Sequence, residues 1–383
     1  MKLKILTLFL LLIGSTVCSQ IVNIPDANFK NACVNFLVVD TDGDGSPDAD
    51  VDTNDDGEIQ VSEAEAVEFF FPRNSNIVSL QGIEAFVNLR TLNCAQNQLA
   101  SLDVTQNVLL ENLACFFNDI PELDISTLTN LKTLDCDFNE LTELDVSSNI
   151  NLERLNFPFN QLSNIDLSQN INLINLDAEQ NDFTAIDISQ NPNLEVLSVE
   201  SNQITSMDFS QNPLLRVVDL HDNLIVDIDM SANTTLDKLW CYDNDLASLN
   251  IKNGNNMAIS LLNATNNPNL TCIQVDDPVF AAGQGGWNID ATALYSEDCV
   301  LGVNESEKFE LAIAPNPVAN RLQIETNGAL RSIAVQIHDV LGRQVYVNKG
   351  VYEYVDISHL KSGLFFLTLT SESGKLTKQF IKE

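Results

Sequence analysis

The residues whose types and spacing carry the clearest chemistry lie between Asp40 and Glu63. Asp52, Asn54 and Asp56 offer side-chain oxygens at alternate positions, and Gly57 follows where the chain must turn sharply. Glu58 offers a backbone carbonyl, Gln60 acts through water, and Glu63 closes a twelve-residue span with a carboxylate able to bind in bidentate fashion. That order of oxygen donors is the ligand set of a calcium loop. A second acidic run, Asp40, Asp42, Asp44, Gly45 and Asp48, directly precedes it and begins in the same way. Val51 stands at its twelfth position, so its ligand set must be completed differently. Ca2+ here is expected to be structural, neutralising a crowded acidic segment, and outside a cell an affinity of about 10⁻⁴–10⁻³ M suffices. A solvated acidic loop without an ion is the alternative for both runs.

A second group of chemically capable residues recurs at a fixed interval. Leu89, Leu110, Leu131, Leu152, Leu173, Leu194, Leu215 and Leu236 each begin a 21-residue unit, and eight units run from Leu89 to Asn256. A period in this range signals a solenoid. Counting from the first Leu, positions 1, 4, 6, 11, 14 and 16 are apolar and can be buried only when neighbouring units stack. The residues between them in Leu-x-x-Leu-x-φ point out of the strand face. Position 5 holds Asp135, Asp177, Asp219 and Trp240, and position 7 holds Phe116, Asp137, Glu179, Glu200, His221 and Tyr242. These are the candidate ligand-binding residues, on a face about 35–40 Å long if strands lie about 4.8 Å apart. An acidic middle with aromatic ends suits a basic protein or a glycan, and the residues alone do not choose between them. Phe117, Phe138 and Phe159, at position 8, have two orientations open: outward beside Phe116, or stacked and buried inside the turn.

The elements that hold these residues are written in two further columns. Position 9 is Asn in all eight units, from Asn97 to Asn244. A coil that turns inside a stack leaves backbone groups unpaired, and a buried Asn can supply both donors and acceptors. Asp103, Asp124, Asp145, Asp166, Asp187, Asp208 and Asp229 form the second column, each expected to accept nearby N–H groups. The Leu-Asp-Leu-Ser rhythm around them predicts a short strand on the opposite side. Ends of a solenoid need caps. Residues 20–88 fit that role upstream, with helices predicted over Asp26–Leu37 and Val61–Phe70, and residues 257–300 fit it downstream.

The repeat resembles the leucine-rich repeats of secreted Bacteroidetes proteins, and Asp52–Glu63 resembles an EF-hand loop lacking its leading helix. The resemblance implies a curved α/β-type repeat solenoid, mainly parallel β with an irregular convex side. Its main sheet would line the concave face.

Residues 309–383 differ in composition. They hold eight of the 19 Lys and Arg and only seven of the 54 Asp and Glu. Short alternating strands and turn signals predict a small all-β sandwich. Pro315-Asn316-Pro317, Leu322-Gln-Ile324, the run from Val335 to Gly342-Arg343, and Lys378 to Lys382 resemble a type A C-terminal sorting domain of the type IX secretion system. That implies engagement of the type IX machinery and passage across the outer membrane. Pro315, Asn316, Pro317, Gly342, Arg343 and Lys382 are its recognition candidates. Residues 301–308 read as a linker. At the other end Lys2, Lys4 and the apolar run from Ile5 to Ile13 read as a signal peptide, cleaved after Ser19. Lipidation at Cys18 is the alternative, against which stands Ser15 where a Leu is expected.

The net charge of −35 argues against nucleic acid as a partner. No later stretch is apolar enough to span a membrane in the mature chain. Cys94, Cys115, Cys136 and Cys241 occupy core position 6 and read as buried thiols. Cys272 and Cys299 suit a disulfide in an oxidising compartment, worth about 3–4 kcal/mol by loop entropy, and the state of Cys33 is open. With three His residues and no nucleophile–base motif, the chain reads as a secreted or surface-attached binding or adhesion protein rather than an enzyme. The alternatives are an architectural surface protein without a selective ligand, or a carbohydrate-active enzyme using paired carboxylates such as Asp177 and Glu179.

Overall fold

The computed structural model describes residues 20–299, 311–326, 334–349, 354–371 and 374–383. The signal segment 1–19 and the linker 301–308 lie outside them. The chain divides into two compact units after Cys299.

The first unit is a leucine-rich-repeat solenoid built on one parallel sheet. Phe69–Phe70 is its first strand. Three-residue strands follow, one per repeat, from Thr91–Asn93 to Lys238–Trp240, and Leu261–Ala264 and Trp287–Ile289 complete an eleven-stranded sheet. The sheet therefore runs past the eight repeats into both caps. Register explains why. Phe70 pairs with Leu92, and the row continues through Leu113, Leu134, Leu155, Leu176, Leu197, Val218, Leu239 and Leu262 to Trp287, all buried. Each cap supplies a large apolar side chain at the level where an ordinary repeat supplies Leu, so the core row ends on Phe and Trp rather than on solvent. Phe70 lies 5.1 Å from Phe86 and 6.1 Å from Phe29 between ring centroids. This placement overrides the helix expected over Val61–Phe70, which stops at Ala64. The leading helix is Ala27–Asn35. One Asp26 oxygen caps it through Asn28 N and Phe29 N, while the other accepts Val78 N and Ser79 N at 2.8 and 2.9 Å.

Buried Asn side chains join turn to turn. Asn160 donates to Cys136 O at 3.0 Å in the preceding turn and to Phe157 O at 3.0 Å in its own, and it accepts Leu141 N at 2.9 Å. The same bonding recurs along position 9. A second column, not anticipated from the sequence, lies at position 19: Asn107, Asn149, Asn170, Asn191, Asn212 and Asn233 are fully buried, and Asn170 bonds Val146 O and Asn149 O. Leu128 interrupts it. A third, exposed column at position 21 includes Asn151, which donates to Thr129 O at 2.9 Å.

The Asp column behaves as expected. Asp145 Oδ1 accepts Ser147 N at 2.9 Å, and the Ser147 hydroxyl and N–H hold this carboxyl below its ordinary range. The opposite strand is narrower than expected. A second parallel sheet forms only from Asp227–Asp229, Ser248–Asn250, Cys272–Gln274 and Leu294–Ser296. In these turns side chains also cross between strands, Ser248 Oγ to Asp227 at 2.7 Å and Asn250 Nδ2 to Asp229 at 3.0 Å. Cys272 and Cys299 form a disulfide with Cα atoms 5.8 Å apart. Cys33, Cys94, Cys115, Cys136 and Cys241 are buried free thiols, and burial pushes that of Cys94 up to about 12.

The second unit has two antiparallel sheets. One holds Leu311–Ala314, Arg321–Thr326 and Tyr354–Asp356, and the other holds Ala334–Asp339, Gln344–Lys349, Gly363–Ser371 and Gly374–Lys382. Val318, Leu322, Ile337, Val355, Leu367 and Phe380 share one core between them.

Asn160→Ala removes the side-chain partner of one buried N–H and three carbonyls. Urea unfolding is expected to show a loss of about 2–4 kcal/mol, against under about 1 kcal/mol for the exposed Asn151→Ala. Equal losses would contradict the ladder's role.

Candidate functional site

The two acidic loops fold alike, twelve residues apart. Asp40 Oδ2 accepts Gly45 N at 2.7 Å and Asp52 Oδ2 accepts Gly57 N at 2.8 Å. Asp42 accepts Asp44 N and Asn54 accepts Asp56 N, while Asp44 accepts Ser46 N and Asp56 accepts Glu58 N. Gly45 and Gly57 have φ of 89° and 80°, which favour glycine. Asp40 and Asp52 are buried. Asp40, Asp42 and Asp44 bring carboxylate oxygens within 4.8 Å of one another. Asp48 staples the first loop instead, accepting Thr41 N and Thr41 Oγ1 at 2.9 and 2.8 Å. In the second loop Gln60 bridges Asn54 and Asp56, and Glu63 accepts Thr53 Oγ1 and Gln60 N. The Glu58 side chain pairs with Lys30 at 2.6 Å. Asp50 was overlooked in the sequence; burial, then the charges of Asp55, Asp52 and Glu63, raise its pKa. The donor set is all oxygen and rich in carboxylate, which fits a hard divalent cation.

Both loops are tied to the solenoid's open end. Val39 bridges to Phe70 on the first strand, and Asp40 N donates to Phe69 O at 3.2 Å. Gln20–Val22 pairs across the second loop, Val22 N to Ile59 O and Val61 N to Gln20 O, both at 2.8 Å.

On the sheet, positions 3 and 5 point outward while position 4 is buried. The outward row at position 5 pairs Asp135, Asn156, Asp177, Ser198, Asp219 and Trp240 in register. Phe116, Asp135, Asp137, Asp177, Glu179, Asp219, His221, Trp240 and Tyr242 are half-buried in this face. Glu200 departs from expectation. It is only 8% exposed and takes a 2.7 Å hydrogen bond from Ser198 Oγ, so it lies beneath the surface rather than on it. Burial, then neighbouring Asp137, pushes Asp135 up to about 7. Burial raises Asp177 to about 6 and Glu200 to about 7, against opposing hydrogen bonds from Glu179 N and Ser198 respectively. His221 is engaged: its Nδ1 lies 2.6 Å from Asp219 Oδ1 and its ring stacks on Tyr242 at 4.3 Å.

The three position-8 phenylalanines are stacked, and two of them are exposed while Phe159 is half-buried. Phe117 and Phe138 are 4.2 Å apart, Phe138 and Phe159 4.0 Å, with Phe117 44% and Phe138 37% exposed. Phe116 meets Phe117 edge-on at 5.9 Å. The cause is backbone geometry. Position 8 has φ of 50–58° in every repeat, which turns its side chain to the margin of the face. For a bulky L-residue that conformation costs roughly 1–2 kcal/mol.

Sequence reasoning also missed a charge ladder at position 2. Arg90 bonds Glu68 and Glu111 at 3.2 and 2.7 Å, and Lys132 bonds Glu111 at 2.6 Å. Alternating sign at a 21-residue interval was the available signal. These pairs are exposed and contribute little individually.

In the tail the candidate residues fall into two groups. Asn316 Oδ1 accepts Ile381 N at 2.9 Å and Val318 N donates to Ile381 O at 2.8 Å, tying Pro315-Asn316-Pro317 to the last strand, where Lys382 is buried. Lys382 therefore stands in the packing rather than on the surface as a recognition group. Asp339, unassigned from the sequence, orders the other group. It accepts Leu341 N, Arg343 N and Arg343 Nε at 2.9, 3.0 and 2.8 Å around Gly342, whose φ is 76°.

Comparison with known proteins bears on both units. Residues 312–383 match the secretion system C-terminal sorting domain. That tail marks the chain for secretion or attachment at the outer surface, and it implies the type IX machinery and a Bacteroidetes setting. Among solved structures, the functional domain of InlJ from Listeria monocytogenes, described as including a cysteine ladder, is similar at 20% identity over 95% of this chain and 98% of its own, with a TM-score of 0.39. Internalin C2 of the same organism shows 21% identity over 58% and 93%, with a TM-score of 0.48. A leucine-rich-repeat protein of Leptospira interrogans shows 24% identity over 44% and 47%, with a TM-score of 0.43. No curated protein sequence matches the chain. Among the described residues no helix is long and apolar enough to cross a membrane.

The raised carboxyls bind protons in the folded state at pH values where the unfolded chain has released them. Their effect is a loss of stability as pH rises from about 4 through about 7. Joint replacement of Asp135, Asp177 and Glu200 by Asn, Asn and Gln is expected to raise Tm at pH 8, by about 2–4 °C per kcal/mol relieved, and to leave it unchanged at pH 4.5. A lower Tm at pH 8, read by calorimetry, would contradict this.

Proposed function

We propose that the chain is an exported binding protein that holds an extracellular protein or glycan on the concave face of its solenoid, with calcium stiffening the N-terminal cap. One observation supports the binding reading above others. Half-buried carboxylates and stacked rings occupy positions that the repeat leaves free of packing demands, and burial makes it costly for the fold to hold those carboxylates ionised. Residues kept against stability point to function elsewhere. Solenoids offer such extended concave surfaces. An architectural role would not call for this arrangement, since any polar residue serves a solvated face.

Calcium would be held by Asp52, Asn54, Asp56, the Glu58 carbonyl, Gln60 and Glu63 in one loop, and by Asp40, Asp42 and Asp44 in the other. Its contribution would be electrostatic, relieving repulsion at the edge where the sheet begins.

Two measurements test this. Calcium at a hundredfold excess over its Kd is expected to stabilise the full chain by about 2.7 kcal/mol over chelator, and Asp52→Asn with Asp40→Asn to abolish the effect. Identical melting in calcium and chelator would remove the calcium role. Screening the full chain on arrayed extracellular proteins and glycans is expected to yield ligands that Asp177→Asn, Trp240→Ala and Tyr242→Ala together release. Unchanged binding would overturn the concave-face reading.

A further inference from the structure

We infer that the phenylalanine ladder and the acidic strip form one bipartite docking surface, and that its occupant is a cationic polypeptide segment carrying apolar side chains. The inference rests on the concave-face reading and narrows it from two ligand classes to one.

Ring orientation argues for protein over glycan. A sugar stacks on the open face of an aromatic ring, whereas here the faces cover one another. Phe138 lies between Phe117 and Phe159 at 4.2 and 4.0 Å, with interplanar angles of 15° and 11°. Tyr242 and His221 cover each other at 4.3 Å and 11°. The ladder therefore offers ring edges, which suit aliphatic side chains and the edge-to-face approach of another aromatic. Trp240 has no ring stacked on it among the described residues, so it is the place where a sugar-binding reading would have to act.

Charge completes the argument. Asp135 and Asp137 lie in the same repeat as Phe138, and along the in-register position-5 row Asp135, Asp177 and Asp219 alternate with the neutral Asn156 and Ser198. Positions 5 and 7 carry no Lys or Arg in any repeat, and the only cations at position 3 of the same face are Arg154 and Lys238, so the acidic strip runs along positions 5 and 7. A surface of this sign selects Lys and Arg and repels acidic partners. The choice of Phe is itself informative. The same left-handed position holds Gln96, Gln180, Ser201, Asp222 and Asp243 in other repeats, so the fold accepts polar residues there and Phe is confined to three consecutive turns.

The test uses the full chain and labelled twelve-residue peptides of alternating Lys–Leu, Lys–Ser and Glu–Leu, with a glycan array in parallel. The Lys–Leu peptide is expected to bind at least tenfold more tightly than either of the others. Phe138→Gln, which leaves the net charge unchanged and copies Gln96 and Gln180 of the repeats flanking the ladder, is expected to weaken it at least fivefold without lowering Tm. At pH 8, where both carboxyls are ionised, Asp135→Asn with Asp177→Asn is expected to weaken it and flatten its salt dependence. Equal binding of Lys–Leu and Lys–Ser, or no effect of Phe138→Gln, overturns the inference. Should Phe138→Gln lower Tm, Phe138→Tyr decides: it keeps the stack and places a hydroxyl at the exposed edge, so unchanged Lys–Leu affinity overturns the inference. Glycan binding that Trp240→Ala abolishes, without peptide binding, overturns it while leaving the concave-face reading intact. Absence of both overturns the two together.

Discussion

Every turn of this solenoid must reverse the chain after a strand of two to four residues, and the backbone groups on the reversing segment have no strand to pair with. The buried Asn side chain resolves this. At position 9 it accepts one N–H and donates to carbonyls of two consecutive turns. The bond spans repeats, so it sets the register between them as well as satisfying groups within one. An unpaired buried amide or carbonyl costs about 1–3 kcal/mol, and the need recurs in every turn; at position 19 a second Asn column answers it by donation alone, as Asn170 Nδ2 bonds two carbonyls of the preceding repeat while its Oδ1 accepts no hydrogen bond.

That constraint divides the repeat into scaffold and free positions. Apolar positions fill the core, Asn and Asp satisfy backbone groups, and positions 5, 7 and 8 face outward on or beside the sheet. The left-handed residue at position 8 immediately precedes the ladder Asn, so the turn that seats Asn118, Asn139 and Asn160 also swings Phe117, Phe138 and Phe159 to the margin of the face. The acidic loops act at the end of the same structure, because Asp40 begins on the strand segment that covers the first edge of the sheet.

The period, the core positions and the position-9 ladder were legible in the sequence because each is demanded identically in every turn. The position-19 column was not, since Leu128 breaks it and its neighbours vary. Position 8 stayed ambiguous because a strand pattern assumes extended backbone, and the left-handed turn violates that assumption. The Phe69-Phe70 strand was hidden inside a plausible helical run, and only the need to close the core row with Phe70 reassigns it. Glu200 looked equivalent to Glu179 in the sequence. Its carboxylate accepts the Ser198 hydroxyl two residues upstream, a pairwise contact that a column-by-column reading does not see. In the tail, Asp339 was passed over because the turn residues Gly342 and Arg343 drew attention from the carboxylate that orders them.

The central claim is that the Asn columns carry the fold while positions 5, 7 and 8 do not. The most direct measurement is a deep mutational scan of residues 89–256 on the displayed protein, read for folded surface expression alone. The account predicts strong depletion for nearly every substitution at positions 9 and 19, and neutral or improved display for polar substitutions at Asp135, Asp177 and Phe138. Depletion at positions 5, 7 and 8 as severe as at position 9 would show that those residues are scaffold, and would contradict the account.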